Sequence, residues 1–140
     1  MTGMTVDQIN AFLEEGFPGR DGAAAVEHAD GTTARCRIRY HERQLRPGGT
    51  LSGPTMMALA DTVVYALIFS AIGFSPLSVT TNLSINFLRK PKPADLIAEA
   101  RTLKRGKALF VADVVIRSDG DAEPCAHAVV TYSIPPRAKS

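Results

Sequence analysis

The sequence predicts an α+β fold in which an antiparallel sheet wraps around one long central helix, and three features predict it. Residues 54–72 form a nearly unbroken apolar run, too long for a strand, since strands rarely exceed about 10 residues. From Ser78 onward the apolar period changes to two, the period of strands. Ahead of the run lies another strictly alternating segment that follows a turn signal. A helix apolar on every side has to be covered on every side, and the flanking strands are the elements able to cover it.

Taken in order, TVDQINAFLEEGFPG offers Thr5 as N-cap, puts Ile9, Phe12 and Leu13 on one face and ends at Gly16 and Pro18, which is a short amphipathic helix over about 5–16. AAAVEHADG turns at Asp30-Gly31 into TTARCRIRYHE, where Ala34, Cys36, Ile38 and Tyr40 alternate with Thr33, Arg35, Arg37 and Arg39; the pair reads as a hairpin. HERQLRPGGTL reads as loop. In the long helix, Pro54 suits the first turn, Ser52 or Gly53 the N-cap and Gly73 the C-terminus. SVTTNLSINFLRKP is a strand with Val79, Thr81, Leu83, Ile85 and Phe87 on one face and Thr80, Asn82, Ser84 and Asn86 on the other. DLIAEARTLK, ALFVADVVIRS and PCAHAVVTYSI continue as three more strands, with turns at Arg105-Gly106 and around Asp119-Gly120, so the second half reads as an antiparallel meander. No repeat, linker or low-complexity segment interrupts the chain, and residues 1–140 are expected to form one domain.

Composition excludes several classes. Apolar residues at 45% and charged residues at 21% are those of a globular protein. A net charge of +2, aromatics at 6% and no Trp leave no basic surface interleaved with stacking rings, so nucleic acid is not an expected partner. Cys36 and Cys125 stand far apart without CxxC or Cys/His spacing, which points to reduced core thiols and to no metal. The N-terminus is acidic and polar where a signal peptide needs positive charge before an apolar stretch, and a cytoplasmic location is expected. The apolar run has the length of a membrane span, but Asp61 near its middle costs about 2.5–3.5 kcal/mol on insertion scales, so no membrane segment is expected.

Asp61 is the one formal charge in that run. A buried carboxylate must be paired, protonated or turned toward a cavity, because ionised and unpaired it costs several kcal/mol or more.

Three segments, RPGGTLSGPTMMALADT, TTNLSINFLRKP and TLKRGKALFVADVVIRSDGD, resemble the hotdog fold and, within it, the phenylacetate-pathway type of acyl-coenzyme A thioesterase, over about residues 22–134. The family motif runs Asn-x-x-Gly-x-x-His-Gly-Gly and then, after six residues, an Asp on the central helix. Gly49, Gly53 and Asp61 keep it; Arg46, Ser52 and Pro54 replace its Asn, His and second Gly. The resemblance implies hydrolysis of an acyl-CoA by a homodimer or a dimer of dimers, with no cofactor beyond the coenzyme A of the substrate. It also implies roles. The Gly53 N–H at the helix start would donate to the thioester oxygen, and Asp61 would act as general base or as nucleophile. Thr81, the polar residue on an apolar strand face, matches the family hydroxyl that holds the water or the carboxylate. On the binding side stand Ser52, which caps the helix or donates to the carbonyl, with Arg46, Thr62 beside Asp61, and Asn82, which by its parity faces solvent or a neighbouring subunit. Arg89, Lys90, Lys104, Arg105 and Lys107 suit the coenzyme A phosphates, and Met56, Met57, Leu59 and Phe87 the acyl pocket.

Each role has a plainer alternative. Gly53 can be an ordinary N-cap, Asp61 a buried structural carboxylate bonded to a partner chain, and the cations solvated turn charge. The three motif departures leave open a non-catalytic binder of acyl-CoA or aromatic ligands. A hydratase wants a His shortly after an Asp in a loop, which is absent, and His28, His41 and His127 stand in no nucleophile motif; His127, close to Cys125, reads as a packed or edge histidine.

Overall fold

A computed structural model describes residues 3–16, 24–40, 45–46, 50–51 and 53–136. Its elements are α1 (Val6–Gly16), β1 (Ala25–Ala29), β2 (Thr33–Ile38), β3 (Leu45–Arg46), β4 (Thr50–Leu51), α2 (Gly53–Ile72), β5 (Val79–Phe87), β6 (Leu96–Arg105), β7 (Leu109–Ser118) and β8 (Ala126–Ser133). Six strands form one antiparallel sheet in the order β1-β2-β6-β7-β8-β5, and α2 packs along it, as the hotdog resemblance implies.

Local chemistry sets the ends of these elements. Thr5 caps α1 by reciprocal bonds: its hydroxyl accepts from the Gln8 N–H at 3.2 Å while its own N–H donates to Gln8 Oε1 at 2.9 Å. Gly73, at φ 91°, ends α2 in the left-handed conformation, and its N–H donates to the Phe69 carbonyl at 3.0 Å. Between β1 and β2, Asp30 accepts from the Thr32 and Thr33 N–H groups at 2.9 and 2.7 Å. Those donors hold its carboxyl down at about 2. Cys36 and Cys125 are free and buried, and burial pushes the Cys36 thiol up to about 12.

Several expectations are corrected. The loop before α2 contains a short hairpin, β3 on β4, with Leu45 opposite Leu51 and Arg46 opposite Thr50. β2 stops at Ile38, and the Tyr40 N–H instead donates to Asp95 at 2.6 Å. The meander is only β6-β7-β8: β5 pairs with β8 at the sheet's edge, because the segment between β5 and β6 carries Pro91 and Pro93 and is no tight hairpin turn. Nor is α2 covered on every side. Leu59, Ala60, Val63, Val64, Leu67 and Ile68 are inaccessible to solvent, but Pro54, Met57 and Ala58 are exposed, and Asp61, Thr62 and Tyr65 only half-buried. These six recur at helical spacing, so the sheet leaves one stripe of α2 open. The helix has the length and hydropathy of a membrane span, yet it is the core helix of this fold, 56% of its most apolar window being buried.

The face predicted for β5 also shifts. Thr80 lies opposite Tyr132 and Asn82 opposite Thr131, leaving Thr81 as the extra residue of a β-bulge. The bulge reverses the parity of the strand's first residues, and Thr80 takes the helix-facing position assigned to Thr81.

Candidate active site

The open stripe of α2, the start of β5 and the end of β8 meet around a cavity of about 380 Å³, closed at one side by α1. Ala58, Asp61, Thr62 and Tyr65 line it from α2, Ser78, Val79 and Thr80 from the β5 side, Tyr132 from β8 and Leu13 from α1. That volume lies within the range of small-ligand sites, roughly 300–1,000 Å³.

At its polar centre, Asp61 Oδ1 accepts from Thr80 Oγ1 at 2.5 Å and from the Tyr132 hydroxyl at 2.9 Å. The same hydroxyl lies 3.0 Å from the Asp61 carbonyl oxygen. Among the described residues nothing donates to Oδ2. Asp61 is therefore paired and turned toward a cavity, two of the three conditions under which a carboxylate can stand in an apolar helix. Burial, and then the Asp61 carboxylate beside it, push the Tyr132 phenol well above the ordinary tyrosine range, so the ring keeps its proton and serves as a donor. Tyr132 stacks on Tyr65 with centroids 6.0 Å apart and planes at 25°; Tyr65 donates to the Pro76 carbonyl at 3.0 Å and lies 4.5 Å from the Phe69 ring. One wall of the cavity is thus a fixed aromatic layer.

Gly53 opens α2, so its N–H belongs to the first turn, which has no acceptor within the helix. A Cβ at this position would lie 3.2 Å from Cζ of Phe87, the last residue of β5. That is tighter than an ordinary contact, and a side chain here would fit only if the Phe87 ring moved aside. Gly53 and Asp61 stand at different ends of β5, Gly53 against Phe87 and Asp61 against Thr80.

The remaining candidates are scattered. Thr62 lines the cavity beside Asp61. Thr81, on the bulge, donates to the Thr131 carbonyl at 3.3 Å and does not touch Asp61. Asn82 is exposed on β5, as its parity predicts. Arg89 pairs with Asp121 at 3.5 Å and Glu123 at 2.5 Å, and Lys90 is exposed next to it. Lys104 and Lys107 are exposed at the β6–β7 turn, whereas Arg105 donates to the Ala71 carbonyl at 2.9 Å, a cation on the C-terminal end of α2. Ser52 and Gly49 lie outside the described residues, as does the Arg46 side chain. His127 pairs with Asp113 on the outer face of the sheet, and among the described residues no cluster of His, Cys, Asp or Glu is arranged to hold a metal ion. Sequence reasoning missed Thr80, Tyr132, Tyr65 and Leu13. A signal for Tyr132 was present: in the alternation Ala126, Ala128, Val130, Tyr132 it is the one helix-facing residue with a polar atom.

Residues 48–125 match the family described as the thioesterase superfamily. A Halobacterium salinarum protein named as an esterase is 30% identical over 92% of this chain and 93% of its own length. A crystal structure from Silicibacter sp. TM1040, of a protein named as a thioesterase, is 44% identical with a TM-score of 0.88, covering 97% of this chain and 95% of that one. At 19% identity, a Streptococcus pneumoniae protein named as a hypothetical thioesterase and crystallised with coenzyme A shares the fold, with a TM-score of 0.73 over 84% of this chain and 89% of that one.

Proposed function

The chain belongs to the thioesterase superfamily, a family of thioester hydrolases, and on that footing we propose that it is an acyl-coenzyme A thioesterase of the phenylacetate-pathway type, hydrolysing an acyl-coenzyme A at the cavity around Asp61. The observation that carries this reading is the Asp61 carboxylate, held by two hydroxyls through one oxygen at the wall of a cavity. The other oxygen takes the proton of a water as that water attacks the thioester carbon. The C–S bond then breaks, and the proton passes to the departing thiolate. As a nucleophile, Asp61 would first form an anhydride that water opens, with the same products. The coenzyme A bound by the Streptococcus pneumoniae relative supports the choice of substrate.

The reading needs a second copy of the chain. Eight residues of helix separate Gly53 from Asp61, about 12 Å along the axis at roughly 1.5 Å per residue, too far for one carbonyl to meet both. Antiparallel pairing of the β5 edge with its twin answers this. It sets the twin's Phe87 end, and with it the twin's helix N-terminus, beside this chain's Thr80 and Asp61. It also covers an edge strand that carries no Pro or Lys between Val79 and Phe87. Sedimentation should find a dimer, or a dimer of dimers, at micromolar concentration; a stable folded monomer would contradict the pairing.

Leu109 lies opposite Ser133 and Ser133 opposite Val79, so the β6–β7 turn with Lys104 and Lys107 is at the Val79 end of the sheet, the end to which that pairing would bring the twin's helix N-terminus and where the coenzyme A phosphates would enter. Lys107→Ala should raise KM for acyl-CoA severalfold with kcat retained, the mark of uniform binding. Arg105→Ala should instead lower the melting midpoint by a few degrees, because its charge serves the helix end. Unchanged KM in Lys107→Ala would return that lysine to the solvent.

Release of free thiol from a panel of short-chain, medium-chain and aryl acyl-CoAs tests the function as a whole. Turnover of one class is expected; binding without turnover of any would make the chain a ligand-binding protein.

A further inference from the structure

We propose that Tyr132 is a positioning residue for the reaction, holding Asp61 in one rotamer with Oδ2 turned to the water; the proposal rests on the reading of Asp61 as the reacting carboxylate. Tyr132 is 3% exposed, and its hydroxyl meets Asp61 at two places, 2.9 Å from Oδ1 and 3.0 Å from the backbone carbonyl. One hydroxyl proton shared between the carboxylate oxygen and the main-chain carbonyl of the same residue ties the two together and restrains the torsions between them. Thr80 adds a second donor to the same oxygen, at 2.5 Å. With Oδ1 saturated by two donors, the proton-accepting capacity of the carboxylate is concentrated on Oδ2.

The phenol is itself held from three sides. It projects from β8, a strand paired on both edges, its ring stacks on Tyr65, and Tyr65 is anchored through its hydroxyl to Pro76. A group fixed by a sheet and an aromatic stack can hold a catalytic carboxylate within the few tenths of an ångström that productive geometry demands. Thr80 adjoins the bulge of β5, a strand that has only β8 as a neighbour within the chain and takes its second neighbour from the twin, so within one chain it is the less firmly held of the two supports. Lost orientation lowers turnover rather than substrate affinity.

Tyr132→Phe removes one oxygen and keeps the ring and its stack. Its kcat should fall about 10- to 100-fold, the rate equivalent of one hydrogen bond to a charged group, with KM within about threefold and the melting midpoint within a few degrees of wild type. A cycle with Asp61→Asn supplies the readout that a purely structural role would not move: in the Asp61→Asn background, Tyr132→Phe should cause no further loss of kcat. Wild-type kcat in Tyr132→Phe, or an equal fold-loss in both backgrounds, overturns the proposal. Near-normal turnover by Asp61→Asn alone would instead remove the reading on which it rests. Should Tyr132→Phe fail to fold, 4-fluorophenylalanine at position 132 fills the space of the hydroxyl with no proton to donate to Asp61; kcat should fall by the same 10- to 100-fold with the melting midpoint held, and an unmoved kcat overturns the proposal equally.

Discussion

Asp61→Asn should lower kcat by about 10²- to 10⁴-fold while the protein stays folded and keeps the oligomeric state of the wild type, the range expected for loss of a general base. The amide keeps the size of the carboxylate, and its oxygen can still accept from Thr80 and Tyr132, so the hydrogen bonds that place the side chain survive the substitution. Basicity and nucleophilicity do not. The variant also no longer holds a charge in a half-buried site, so its melting midpoint should stay level or rise. A purely structural Asp61 predicts the opposite pattern, damage to folding with residual activity that tracks the folded fraction. Calorimetry, sedimentation and thiol release on a single preparation separate the two.

Phe69→Ala should give the largest loss of stability among single substitutions of the core, about 3–5 kcal/mol, and lower the melting midpoint by roughly 10 °C or more. Phe69 is 0% exposed, and its ring centroid lies 5.5 Å from Phe12, 4.5 Å from Tyr65 and 5.8 Å from Phe74. It therefore joins α1 and the loop after α2 to the layer that backs the cavity. Leu13, next to Phe12, forms the cavity's α1 wall, so loosening this cluster should also raise KM for the acyl substrate well below the melting point, with kcat less affected. A midpoint shift of only a degree or two, measured by calorimetry, would mean that α1 does not dock through this cluster.

Much of this was legible because the relevant signals are local. Length and hydropathy mark α2, alternation marks β2, β7 and β8, and the Thr5 and Gly73 caps lie where their residue types predict. Asp61 could be singled out because a charge within an apolar helix is costly wherever it sits. What stayed hidden depends on register and pairing. Thr80 and Thr81 are the same residue type side by side, and only the bulge, set by pairing with β8, decides which one faces the helix. The place of β5 beside β8 is likewise a property of the sheet, not of the strand. Arg105 looked like one member of a basic turn. The nearness of that turn to the end of α2, which no local pattern reveals, makes it a helix-capping residue instead.

The central claim, hydrolysis of an acyl-CoA at Asp61, is tested most directly by mass analysis of the products formed from acyl-CoA in ¹⁸O-labelled water. The account predicts free coenzyme A thiol and, in equal amount, a free acid carrying a labelled oxygen, with both products lost together in Asp61→Asn. Acyl-CoA recovered intact from the wild-type protein, or labelled acid formed as fast by the folded Asn variant, would contradict it.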